Sequence, residues 1–376
     1  MPQTAIKKRD PNLDFIRCIA LFFVMGVHFC THCNIYNAGY TGFIAFFTDA
    51  LRTMYVPALA LFIMLNGFFQ SKKTLSVKYY LGILKLFEMY LLCSVLNMLY
   101  SRFYLGEELT LHSFLSGIIN YTGTEYGWYV LLYFGLFLMI PFLNIIYNSL
   151  KSRGQKRLLI LTFFYLSSGP FSFLNAFAST YAYWWQRIWP ITFYFMGAYA
   201  AEYRSELSGK KWGLKYLAAL LVFSAYNYFF YDMSSPLYGA AQSNFLYAHE
   251  SLQNAIMTPL VFLAALDARL ERCPKPIAKF MEAVSNYSYG IFLFTSITDS
   301  FIYGWLNRFV PVIGMRYLFF IIALPLSYVS AVFLAFLADK AVSSADKIIR
   351  PVAECVTAWL GRLIMSEPDK EEEGKP

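Results

Sequence analysis

Residues 13–29 read LDFIRCIALFFVMGVHF, and this stretch decides the class of the fold. Carried on to residue 34, it is an apolar run of about 20 residues, the length that crosses a hydrocarbon core of roughly 30 Å. The rest of the 376-residue chain has the same character. Apolar residues make up 58% and charged residues 14%, against about half and a quarter in soluble domains. Comparable runs fall at 52–69, 80–101, 127–148, 157–175, 187–203, 213–231, 247–267, 287–306 and 317–338. The expected fold is all-α, a polytopic transmembrane bundle of about ten spanning helices. No internal repeat or inserted soluble domain interrupts it. One membrane domain is expected over 1–338, followed over 339–376 by a cytoplasmic amphipathic segment and a disordered acidic tail.

The net charge of +8 invites a nucleic-acid reading, but the basic residues fall in alternate loops rather than along one stripe, and no nucleic-acid-binding signature is visible. Lys7, Lys8, Arg9, Lys72, Lys73, Lys151, Arg153, Arg204, Lys210 and Lys275 belong to one side. The opposite loops and helix ends hold only Arg52, Arg102, Arg187, Arg308 and Arg316. By the positive-inside rule both termini face the cytoplasm. The outer loops near 102–126, 176–186 and 232–246 are rich in Tyr, Asn, Ser and Gly. Such loops suit sugar rings as well as the bilayer interface.

Ionisable groups inside a membrane are expensive, so each requires a reason. Asp14, Arg17 and His28 interrupt the first run. At 100° per residue, the eleven-residue step from Arg17 to His28 returns almost to the same face, about 16 Å along the axis. Asp14, three residues before Arg17, can pair with it. Histidine can accept a proton from an attacking hydroxyl, and arginine binds phosphate bidentately. The plainer alternative makes Asp14–Arg17 a helix-end ion pair and His28 an interhelical hydrogen bonder. His28, Cys30, His32 and Cys33 are donor types for zinc or copper. They lie within six residues of one helix and cannot all surround one ion, so no metal is assigned.

The arrangement Leu13-Asp14-x-x-Arg17-x10-His28 resembles the opening of the acyltransferase-3 family of integral membrane O-acyltransferases, the type that acetylates bacterial surface polysaccharides. Further likenesses follow in order. Asn66-Gly67-Phe68-Phe69 stands before Lys72 and Lys73, and Tyr126-Gly127-Trp128-Tyr129-Val130-Leu131 leads to Pro141. Tyr194-Phe195 followed by Gly197, and Ser288-Tyr289-Gly290-Ile291-Phe292, come later. The resemblance implies ten helices and transfer of an acyl group, usually acetyl, from cytoplasmic acetyl-CoA to a glycan or lipid-linked sugar. It makes His28 catalytic, with Arg17 and Asp14 beside it in the motif. Arg17, Lys72 and Lys73 would hold the donor's phosphates. Where many members carry a histidine after Ser-Tyr-Gly-Ile, this chain has Phe294-Thr295-Ser296.

Trp128, Glu125 and Glu250 are the candidate acceptor contacts on the outer side. Lys85 and Glu88, one turn apart, read as an intramembrane pair, and Asp299 as interfacial. The expected protein is thus an acyltransferase of the bacterial cytoplasmic membrane, with acyl-CoA as co-substrate and no tightly bound cofactor. Its partners are a glycan acceptor and the bilayer, not nucleic acid. A multi-pass transporter of a glycan-lipid or small solute stays open as the alternative, although the matching halves common in transporters are not visible.

Overall fold

A chain in hydrocarbon must satisfy its backbone N–H and C=O groups internally, which makes helices of apolar runs. The computed structural model describes residues 9–168, 183–232 and 248–365. Its helices of nine residues or more are α1 (Pro11–His32), α2 (Gly42–Tyr55), α3 (Ala58–Gln70), α4 (Leu84–Tyr100), α5 (Leu111–Ile119), α6 (Gly127–Ser149), α7 (Arg153–Ser168), α8 (Trp189–Glu202), α9 (Trp212–Asp232), α10 (Leu252–Leu266), α11 (Lys275–Phe309) and α12 (Phe320–Met365). No strand occurs among the described residues. The fold is an all-α bundle.

Each run picked out in the sequence coincides with a helix, within the described residues. Five helical stretches are long and apolar enough to cross a membrane: Pro11–His32, Gly42–Gln70, Val77–Leu105, Gly127–Ser149 and Ile313–Trp359. The other runs lie on shorter or more polar helices. α8 has 14 residues and α10 has 15, about 21–23 Å at the α-helical rise. The second stretch starts ten residues earlier than its hydropathy suggests, and α2 passes into α3 at Pro57, which has no N–H to continue the ladder. The segment after 338 continues α12 as helix through Met365, with Pro325 and Pro351 inside it. The lead-in to residue 8, residues 169–175 of the fifth run, most of the loops near 176–186 and 232–246, and the tail after 365 lie outside the described residues.

Helix ends meet in two groups, as alternating crossings require. At one end, Asn12 donates to the carbonyls of Leu266 and Ala268 at 2.6 and 2.8 Å, and Asn144 to those of Gln70 and Lys73, both at 2.7 Å. At the other, Asn307 donates to the His32 carbonyl at 2.7 Å and Arg316 to that of Cys33 at 2.9 Å. We call these the basic and the aromatic end. α1 begins on Asp10, whose side chain accepts from the Asn12 N–H, with Pro11 in the first turn. It runs through the middle of the bundle, with Ile16, Ala20, Leu21, Met25 and Phe29 fully enclosed. The outward faces of α6 and α12 instead expose Leu131, Leu138, Phe142, Ile321, Ile322 and Val329, as helices in contact with lipid do.

The tightest crossing is α3 on α8. A Cβ at Gly67 would lie 1.9 Å from the Tyr194 carbonyl oxygen, and one at Gly197 would lie 2.0 Å from that of Met64. Backbone therefore touches backbone, as small residues allow between membrane helices. Overpacking such a contact costs about 1–3 kcal/mol or more. Gly67→Ala and Gly197→Ala are therefore expected to lower the apparent melting temperature of detergent-solubilised protein clearly. Gly135→Ala, with nothing within 4 Å of its Cβ, should leave it unchanged or raise it. Equal melting temperatures for Gly67→Ala and Gly135→Ala would refute this crossing.

Candidate active site

At the basic end, α1 presents two charged residues to a large cavity. Arg17 donates to Ser285 Oγ on α11 at 2.8 Å and lies 3.6 Å from Asp14. Its guanidinium sits 4.8 Å above the Phe69 ring. The Asp14 carboxylate is buried and accepts a fork from Arg9 at 2.6 and 2.8 Å. Those hydrogen bonds push the Arg9 guanidinium above its ordinary value, so it stays cationic. The cavity holds about 1210 Å³ and is lined by four cations, Arg9, Arg17, Lys72 and Arg204, and three acids, Asp10, Asp14 and Glu202, the last paired with Lys156 at 2.6 Å. Asp10 pairs with Arg204 and Asp14 with the two arginines of α1 and its lead-in, whereas Lys72 has no ion pair among the described residues. The vestibule is therefore suited to a polyanion.

A second cavity of about 300 Å³ lies deeper and shares Arg17, Phe69, Ser285 and Asn286 with the vestibule. Past those four its walls are mainly apolar and aromatic, with Phe62, Leu65, Tyr129, Tyr133 and Phe292 among them.

A third cavity of about 310 Å³ belongs to the aromatic end, and Phe292 lines it as well. His28 and His32, one turn apart on α1, enter it beside Glu125, Trp128 and His249. His28 Nδ1 lies 2.8 Å from Asp299 Oδ2 on α11, and Asp299 has no solvent exposure. Ser327 of α12 donates to the other carboxylate oxygen at 2.5 Å, and the Tyr126 hydroxyl approaches Oδ2 at 3.5 Å. Donors converging on one buried carboxylate satisfy it, and the carboxylate holds the imidazole with its proton on Nδ1. Nε2 is left as the available base. The Tyr126 ring stacks on His28 at 4.1 Å with 10° between planes, fixing the imidazole's orientation. His32 Nε2 lies 3.0 Å from the Tyr126 hydroxyl and 3.6 Å from Glu125. His249 lies between Trp128 and Trp189, 5.4 Å from each.

The structure thus sorts the residues singled out in the sequence into two groups. Arg17, Asp14 and Lys72 share the vestibule; His28, Glu125 and Trp128 share the far cavity. Asp14 lies about 21 Å along the helix from His28 and meets arginines there, not the imidazole. Lys73 does not line the vestibule; its carbonyl accepts from Asn144. Glu250 does not line the far cavity, but its neighbour His249 does. Cys30 and Cys33 are core residues, and among the described residues no group of three or more His, Cys, Asp or Glu is placed to hold a metal ion.

Two readings change. Asp299 is not interfacial but the buried partner of His28. The signal was present in the sequence, since an acid within the apolar run 287–306 calls for the same explanation as a histidine within 13–34. Lys85 pairs not with Glu88 but with Asp339 of α12, at 2.7 Å; spacing along one helix does not reveal a partner on another. In the Phe294-Thr295-Ser296 stretch, where many of the resembling proteins carry a histidine, Thr295 turns its hydroxyl back to the Phe292 carbonyl at 2.6 Å.

Compared with known families, residues 10–338 match the acyltransferase-3 family model, described as an acyltransferase domain. No curated protein and no solved structure matches the chain.

Asp299 acts through His28 and is a positioning residue. Asp299→Asn replaces an acceptor for Nδ1–H with an amide that can donate to it, favouring the wrong tautomer. Acyl transfer should fall by about 10²–10⁴-fold, the range for loss of general-base catalysis, while the melting temperature stays near wild type. Undiminished transfer by Asp299→Asn would remove the carboxylate from the site.

Proposed function

The chain belongs to the acyltransferase-3 family, and from that premise we propose that it moves an acyl group from acyl-CoA, bound at the basic end, to a glycan hydroxyl at the aromatic end. The acyl group is acetyl, and the acceptor is a cell-surface or lipid-linked sugar. One observation carries this reading. A vestibule with a net excess of cations and a carboxylate-backed histidine stand at the two ends of one helix, and between them lies a cavity that shares Arg17 with the vestibule and Phe292 with the cavity around His28.

In this scheme the vestibule cations hold the phosphates of the donor. Arg17, which opens onto both the vestibule and the inner cavity, marks where the pantetheine arm turns inward. The step from Arg17 to His28 is about 16 Å along the helix, of the order of that arm's extended length. Acceptor sugars stack on Trp128 and His249, which Trp189 backs from within the core, and donate hydroxyls to Glu125. His28 Nε2 takes the proton of the attacking hydroxyl as its oxygen bonds to the thioester carbonyl carbon. The tetrahedral species collapses, the carbon–sulfur bond breaks, and Nε2–H returns the proton to the departing thiolate. Asp299 stabilises the transient imidazolium. Loop basicity supports an orientation with the vestibule and both termini in the cytoplasm and the aromatic end outside. Acyl-CoA and surface glycan would then meet from opposite faces of a bacterial cytoplasmic membrane.

The test is base-labile acetate on envelope glycans of a host lacking its own surface acetylation. Wild type should add acetate, and His28→Ala at equal membrane abundance should reduce it by about 10²-fold or more. Arg17→Ala should mainly raise KM for acetyl-CoA, by about ten- to a hundredfold for the loss of a charged hydrogen bond. Acetate unchanged by His28→Ala would be incompatible with the scheme. A wild type that neither acetylates nor binds acetyl-CoA would favour a carrier.

A further inference from the structure

Phe292 is the residue common to the inner cavity and the His28 cavity. It is buried, with Ile291 and Leu293 on either side of it enclosed completely, so the backbone of α11 has no room to carry it aside. Its ring meets Tyr129 at 5.1 Å, edge to face, and Tyr126 at 5.6 Å. Tyr126 in turn stacks on His28. Tyr129 lines the inner cavity, Tyr126 the far one and Phe292 both, so the three rings form part of the wall between the Arg17 side and the imidazole. The lining also changes in charge along the path. Arg17 is the one cation among the residues lining the inner cavity, and the next in line, Arg52, belongs to the far cavity. Between them stand aromatic faces, whose negative quadrupole repels an anion, and a carboxylate stripped of water there has no counter-charge.

We propose that Phe292, braced by Tyr126 and Tyr129, selects the acyl group: its ring takes up room in the His28 cavity, so that a short neutral acyl fits beside the imidazole while longer tails do not, and an anionic tail meets no counter-charge on the way from Arg17. The inference rests on the acyl-CoA reading above and concerns which acyl-CoA that site accepts. The nucleotide portion is the same in every acyl-CoA and is held outside the His28 cavity, so discrimination falls on transfer rather than on binding. A ring that merely filled the core would, on truncation, impair all donors alike. A ring that filters changes their ratio.

The experiment uses full-length protein in detergent with four donors, acetyl-, propionyl-, butyryl- and succinyl-CoA. Binding of each is measured directly, and transfer is read as release of CoA thiol on addition of the envelope glycan fraction that wild type acetylates. All four should bind wild type within a fewfold of one another. kcat/KM should fall about tenfold or more for each added methylene, within the range for a filled apolar pocket, with succinyl transfer lowest. Phe292→Ala, or the milder Phe292→Leu if the first proves unstable, should raise the butyryl-to-acetyl ratio at least tenfold. Succinyl should gain less, because widening supplies no cation. Phe292→Trp should suppress acetyl transfer while acetyl-CoA still binds. Wild type using butyryl- or succinyl-CoA as well as acetyl-CoA would overturn the proposal. So would a butyryl-to-acetyl ratio unchanged in Phe292 variants that bind acetyl-CoA normally. Binding of no donor by wild type would instead overturn the acyl-CoA reading itself, a distinguishable failure.

Discussion

A carboxylate deep in an apolar bundle cannot stand alone, and the bond between Asp299 and His28 is what lets either residue be there. The pairing fixes more than one side chain. It ties α1 to α11, and Ser327 adds α12 through the other oxygen. The long aromatic and aliphatic faces of these helices then have one register in which to pack. Thr298 extends the same network by meeting Ser327 at 3.0 Å. A polar knot of this kind specifies a unique arrangement as long as its members are satisfied.

From that knot the rest of the site follows along one helix. α1 is straight enough that three turns separate the imidazole from Arg17, and the two ends of the helix belong to different surroundings. Near its start, four cations and three acids line a large cavity; near its finish, histidines and tyrosines line a small one. The cost of crossing the bilayer is therefore met inside the protein. On the proposed function, a thioester would travel only the stretch between Arg17 and Phe292, and the acceptor would not enter the hydrocarbon at all.

The bundle was legible because its signal is length and apolarity, which need no partner to be read. Arg17 and His28 were legible for a related reason: both lie on one helix, and a 100° step suffices to put them on one face. What resisted reading depends on contacts between helices. Asp299 lies 271 positions from His28, and Lys85 finds Asp339 rather than its own neighbour. Glu250 and His249 are adjacent in sequence, yet only the histidine reaches the cavity, because the turn before α10 decides which side chain points inward. The count of crossings is similarly a matter of geometry, since ten of the 14 residues of α8 are buried and a helix so enclosed need not obey the length rule for an exposed span.

The close crossing of α3 on α8 at Gly67 and Gly197 has a mechanical consequence. Just beyond it towards the basic end, Phe68, Phe69 and Ser71 of α3 and its exit, and Ala198, Ala201 and Glu202 of α8, form walls of the vestibule. Two helices pressed backbone to backbone here leave no slack between them, so this side of the vestibule is anchored to the bundle where its wall begins. The absence of two side chains thus sets the position of a cavity wall that neither glycine lines.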